Sequence, residues 1–248
     1  MDPRIKRRRI DVTRDAGRKR LHMLIGSVVA AVMAVGAVAS TRSPVLDVDH
    51  VVVVGATHTT AEQVATAARL VDKPQLLDVN EHGVARRVER LPWVATATAH
   101  RQFPATVKVV VKERVVTASV PAHDGKWAVA DGTGRVLELV DQRPGIPLVA
   151  GTAPAQRAGT RLGPRGRDAM RVAAALPMEL RSRTVEILVD PAGEVELHIL
   201  PGGTIKLGPV TRLDEKLQSA WTVLSGLDPR TLRVLDVRVP RAPVVIRR

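Results

Sequence analysis

The first 43 residues constrain everything that follows them. Met1–Arg20 carries nine basic residues (Arg4, Lys6, Arg7, Arg8, Arg9, Arg14, Arg18, Lys19 and Arg20) against three Asp. Leu21–Thr41 then runs without a charge, with His22 its one strongly polar side chain, and Arg42 closes it. An apolar run of about 20 residues, rising 1.5 Å per residue, matches a hydrocarbon core of roughly 30 Å. The Lys/Arg excess lies on its N-terminal side, so that end is expected to stay in the cytoplasm. The pattern predicts a cytoplasmic arm over 1–20, a transmembrane helix over 21–41 and everything from 42 onward outside.

A second reading stays open. Ala37-Val38-Ala39 before Ser40 has the small-residue form of a signal-peptidase site. Cleavage there would release a secreted envelope-binding protein. The long basic region and the length of the apolar run, beyond the usual ~7–15 residues of a signal peptide, favour a retained anchor.

Charge narrows the partners. The chain has 38 Lys and Arg against 25 Asp and Glu, a net +13, and the arm alone supplies +6 of it. The rest is spread without a dense basic stripe. Only Phe103, Trp93, Trp127 and Trp221 are available for base stacking, so nucleic acid is not an expected partner. With no cysteine, disulfides, thiolate metal sites and thiol nucleophiles are excluded. The core must be built from Val, Leu, Ala and Ile, and the many Val residues favour strands.

Two kinds of organisation are legible beyond the apolar run. Asp47–Val54 reads as a strand ending at Gly55, and Thr59-Thr60-Ala61-Glu62 as a capping box opening a helix to about Leu70. A second helix spans about Glu81–Arg90, with Val84, Val88 and Leu91 on its inner face. Strands follow over Trp93–Arg101 and Thr106–Arg114, where Val107, Val109 and Val111 alternate with other residues. That is β-α-α-β-β, a small sheet covered on one face by two helices.

From Val115 onward strands are short and turns frequent: Val115–Val120, Trp127–Ala130, Arg135–Val140, Thr184–Val189, Val195–Leu200, Thr204–Leu207, Leu232–Val239 and Val244–Arg247. Helices are expected over Arg167–Leu176 and Thr211–Leu224, and Pro144–Arg167 reads as the least ordered stretch. The fold class is α+β.

No constellation for catalysis emerges. The histidines 22, 50, 58, 82, 100, 123 and 198 are scattered, without the spacing of a zinc helix. No Gly-x-Ser-x-Gly elbow or Ser-x-x-Lys motif occurs. Gly202-Gly203-Thr204 and Asp131-Gly132-Thr133-Gly134 read as turns rather than as a phosphate loop or a calcium loop. An anchored hydrolase would need an acid, base or nucleophile that the sequence does not display. No cofactor, metal or small-molecule substrate is expected.

Several motifs occur in order: Val51–Gly55 with the Thr59–Glu62 helix start, Leu76-Leu77-Asp78-Val79, Leu91-Pro92-Trp93-Val94, Arg101–Val109, Val111-Lys112-Glu113-Arg114, Trp127–Val136, Ile205–Gly208, Lys216 and Leu235–Arg238. Together they are similar to the bacterial cell-division family FtsQ/DivIB. The resemblance implies a POTRA module within 42–114, a β domain over 115–248, and a non-enzymatic scaffold in the cytoplasmic membrane at the division septum. The partners it implies are FtsB and FtsL, and further FtsW, FtsI and FtsK. It also implies that FtsB docks on the last strand, at Arg238, Val239, Arg241, Val244, Val245, Ile246 and Arg247. Pro243 fits that position, since a residue without an N–H is tolerated at a sheet edge. The alternative is that these residues only close the sheet.

Overall fold

The computed structural model describes residues 23–33 and 46–248. Residues 23–33 are an α-helix (α1) with exposed side chains. Among the described residues no helix is long and apolar enough to cross a membrane. The basic arm, the rest of the expected 21–41 span and the Ala37–Ala39 site lie outside the described residues.

Residues 46–114 form one layer of sheet and one of helix. The order is β1 (His50–Val54), α2 (Ala61–Ala68), α3 (Glu81–Val88), β2 (Val94–Gln102) and β3 (Thr106–Glu113). β3 is central, parallel to β1 and antiparallel to β2. Val107, Val109 and Val111 meet Val64, Ala68, Val84 and Val88 in an apolar core. The capping box is displaced by one residue from the sequence reading. Thr60 is the N-cap, its hydroxyl accepting from Gln63 N–H at 3.1 Å while Gln63 accepts from Thr60 N–H at 3.0 Å. Gln serves this role as well as Glu, and the Thr59 N–H is already taken by Glu113.

Residues 116–247 build one continuous sheet rather than a set of separate hairpins. Its strands are β4 (Val116–Pro121), β5 (Trp127–Asp131), β6 (Val136–Val140), β7 (Leu148–Ala150), β8 (Thr184–Val189), β9 (Val195–Ile199), β10 (Thr204–Gly208), β11 (Leu232–Asp236) and β12 (Val244–Arg247). Their spatial order is β12-β11-β10-β9-β8-β7-β4-β5-β6. The helices are α4 (Pro164–Ala175), the short α5 (Met178–Arg181) and α6 (Leu213–Ser225). α4 and α6 pack on the sheet through Ala169, Met170, Val172, Ala173, Leu217, Ala220 and Leu224, all buried.

Pro144–Arg167 is a structural joint, contrary to its loop-like composition. Its three-residue strand β7 pairs in parallel with both β4 and β8 and so unites the two halves of the sheet. Three residues between Pro147 and Gly151 are too few to show a period. Gly151 follows with φ +76°, pressed so close to the Val189 carbonyl that a Cβ would collide with it. α4 also starts earlier than Arg167, since Pro164 occupies a first-turn position where its missing N–H costs nothing.

Candidate functional site: an open sheet edge

β12 is one end of the nine-stranded sheet, antiparallel to β11 with Val244 opposite Asp236, Val245 opposite Leu235 and Ile246 opposite Val234. Arg248 N–H donates to the Thr231 carbonyl at 2.9 Å. Backbone groups of an antiparallel strand point alternately to its two sides. The N–H and C=O of Val244 and Ile246 therefore face β11, and those of Val245 and Arg247 face outward. Pro243 falls in the outward parity, where it withholds no bond from β11.

Side chains alternate in the other direction. Val245 is half-buried against the core, whereas Val244 is 56 % and Ile246 47 % exposed. Two adjacent β-branched side chains thus stand out of an edge whose backbone is also open. Val239, 58 % exposed, and Arg241 lie in the loop before β12, where Ala242 N–H closes a turn on the Val239 carbonyl. On one side of this loop Gln218, Thr222 and Val223 of α6 face Pro240, Arg241 and Pro243 across a groove of about 350 Å³. The helix side of that groove was not among the residues singled out from the sequence, because its outer positions are ordinary polar helix surface.

Arg238 behaves differently from the other arginines. Its guanidinium grips the Asp236 carboxylate at 2.7–3.1 Å and sits 3.9 Å from Glu194. The hydrogen bonds from Arg238 hold the Asp236 carboxyl below its ordinary range, and Asp236 in turn raises the guanidinium pKa. The free positive charge at the edge therefore belongs to Arg241, Arg247 and Arg248, all exposed.

A second polar constellation fixes the first module. Glu113 accepts from the backbone N–H of Thr57, His58 and Thr59 at 2.9–3.1 Å and meets the His58 ring at 2.9 Å. His58 stacks on Trp93 with ring centroids 3.9 Å apart. Partial burial opposes ionisation of Glu113, but the His58 ring and the three N–H groups outweigh it and bring its pKa down to about 2. The adjacent Arg114 reaches the other way, to Asp131 of β5 at 2.7 Å. Asp131 also accepts from Thr133 N–H, Thr133 hydroxyl and Arg135 N–H, making the Asp131–Gly134 segment a self-bonded turn. Arg135 returns to the Arg90 carbonyl at 2.8 Å. Among the described residues no three His, Asp or Glu are grouped to hold a metal ion.

Residues 46–114 match the model of the POTRA domain, FtsQ-type. The cell division protein FtsQ of Streptomyces bingchenggensis is 31 % identical over 207 residues, covering 81 % of this chain and 76 % of the relative. FtsQ of Mycobacteroides abscessus is 28 % identical over 240 residues, covering 95 % of this chain and 74 % of the relative. FtsQ of Mycobacterium tuberculosis is 26 % identical over 226 residues, covering 91 % and 69 %. Among solved structures, the major extracytoplasmic domain of the cell division protein DivIB from Geobacillus stearothermophilus aligns with a TM-score of 0.35 at 18 % identity, covering 47 % of this chain and 96 % of that one. The POTRA match and the similarity to the Streptomyces protein over about four fifths of the chain agree, and the chain belongs to the FtsQ family of cell division proteins.

Proposed function

We propose that the chain is a non-catalytic scaffold of the division septum, held in the cytoplasmic membrane by residues 21–41 with the arm 1–20 inside and 42–248 outside. It links early division components to FtsB and FtsL and, through them, to septal wall synthesis by FtsW and FtsI, with FtsK a further contact. The reading rests on family membership and on the Lys/Arg asymmetry about the apolar run.

β12 is the FtsB docking strand in this proposal. The observation that carries it is the outward backbone of Val245 and Arg247 at the end of the sheet, beside exposed Val244 and Ile246. Such an edge pairs with an extended segment through main-chain bonds, and alternate side chains give selectivity. Val245→Pro removes an outward donor, and Val244→Glu with Ile246→Glu places charge where apolar contact is needed. Each change is expected to abolish co-purification of FtsB with the full chain while thermal unfolding stays cooperative. Retention of FtsB by both variants would place the docking surface elsewhere.

A further inference from the structure

The POTRA sheet has one face covered by α2 and α3 and one face open. On the open face Val54, Val110 and Thr98 stand side by side in register, as do Val52, Lys108 and His100, with Lys112 beside Thr96. Val52 and Val54 are each 44 % exposed and Val110 37 %, in the presence of the rest of the chain. The alternate positions of the three strands that form this face contain no Asp or Glu. The acids of the module lie elsewhere: Asp47 and Asp49 before β1, Glu62, Glu81 and Glu89 on the helices or their ends, Asp72 and Asp78 in the connector between them, and Glu113 at the end of β3, bound to the 57–59 segment. The open sheet face is therefore basic and apolar, whereas the helix side carries both signs, its acids matched by Arg69, Lys73, Arg86, Arg87 and Arg90.

The chain enters this module beside the tip of the β2–β3 hairpin. Asp49 and His50 N–H both donate to the Ala105 carbonyl, and His50 is in register with Thr106. At that tip stands Phe103, the single Phe of the sequence, 67 % exposed. An extended chain spans at most about 3.5 Å per residue, so the nine steps from Thr41 to His50 hold this tip within about 30 Å of the end of the apolar run.

We propose that the POTRA module rests on the outer surface of the anionic bilayer, with Phe103 inserted at the headgroup level and the open face, Val52, Val54, Lys108, Val110 and Lys112, turned toward the lipid. This rests on the reading that residues 21–41 are the membrane anchor. Three observations select a bilayer over a protein partner. The tether holds the tip within about 30 Å of the membrane. The exposed aromatic projects from a turn, not from a groove. The open face presents Lys108 and Lys112 with no acid among its positions. Aromatic side chains favour the membrane interface, and lysines near an anionic surface are attracted to it. Docking of this kind fixes the direction in which the rest of the chain leaves the membrane.

The cysteine-free sequence makes the test direct. The full chain carrying Gln102→Cys, beside Phe103, is labelled with an environment-sensitive fluorophore and reconstituted in phosphatidylglycerol-containing or pure phosphatidylcholine vesicles with lipid-borne quenchers. A second labelled variant, Ala30→Cys, reports the apolar run. The probe at 102 is expected to be quenched by lipid, more strongly with phosphatidylglycerol, and Phe103→Ser is expected to abolish that quenching. A lysine beside an anionic surface changes the docked-to-undocked ratio about fivefold, so Lys108→Glu with Lys112→Glu lowers it by about 25-fold or more. An unquenched probe at 102 with a quenched probe at 30 overturns the docking and leaves the anchor standing. If neither probe is quenched, both fall.

Discussion

Arg114 and Asp131 form an ion pair of 2.7 Å with both side chains largely out of water, 15 % and 7 % exposed. The pair ties the residue that follows β3 to the last residue of β5, so the POTRA sheet and the nine-stranded sheet share it. Arg114 Nε also donates to the Val94 carbonyl, and Arg135 returns from the second sheet to Arg90. Three charged side chains thus bridge two separate apolar cores.

Arg114→Ala leaves Asp131 with its Thr133 and Arg135 partners, so its loss is smaller than that of a fully orphaned buried charge. The expected destabilisation is about 2 kcal/mol, against about 3–5 kcal/mol for breaking a fully buried pair. Chemical denaturation is expected to change from one transition to two as the modules uncouple. A single unshifted transition would show that the pair does not link them.

Glu113 predicts acid sensitivity of the first module. Its folded pKa of about 2 lies below its ordinary value of 4.5. A depressed carboxylate contributes stability that is complete above pH 4.5 and is lost as pH falls from there toward 2. Glu113→Gln is expected to cost on the order of 3 kcal/mol at neutral pH and to flatten the stability profile across that window. The check is urea unfolding of both forms at a series of pH values.

Much of this was legible in the sequence, and the exceptions have physical causes. Val107, Val109 and Val111 announced the central strand because one covered face imposes a period of two. Val84 and Val88, four positions apart, announced α3, and Leu91 lies beyond its end. β7 was hidden because Leu148–Ala150 is defined by pairing on both sides, which needs β4 and β8, strands far away in sequence. The joining of Glu113 to His58, and of Arg114 to Asp131, was also hidden. The motifs carrying those residues were visible, but spacing along the chain says nothing of pairs 55 and 17 positions apart. At the edge, the apolar β-branched run and Pro243 marked the strand, while the capture of Arg238 by Asp236 required the turn between them.

Gly151→Ala tests the joint at β7. The residue has a positive φ, and a Cβ would strike the Val189 carbonyl. The expected cost is about 3 kcal/mol or more, from backbone strain and steric overlap together. Thermal unfolding read by near-ultraviolet circular dichroism measures it; a shift within error would mean that β8 gives way at no cost.

Free charge at the edge is expected to act on encounter rather than on residence. Arg241→Ala with Arg247→Ala is expected to slow FtsB association about tenfold at low salt and to leave dissociation nearly unchanged. Removing both members of the neutral pair, Arg238→Ala with Asp236→Ala, is expected to leave the association rate nearly unchanged. Stopped-flow or surface-binding kinetics across a salt series separates the two.

Strand addition at β12 is tested most directly by amide hydrogen exchange, residue by residue, on the full chain with and without the extracytoplasmic segment of FtsB. In the free chain the Val245 and Arg247 amides face outward and are expected to exchange quickly, while those of Val244 and Ile246 are held by β11. On binding, Val245 and Arg247 are expected to become protected together, with little change at Val244 and Ile246. Binding that leaves Val245 and Arg247 in fast exchange, with protection appearing elsewhere, would contradict strand addition at this edge.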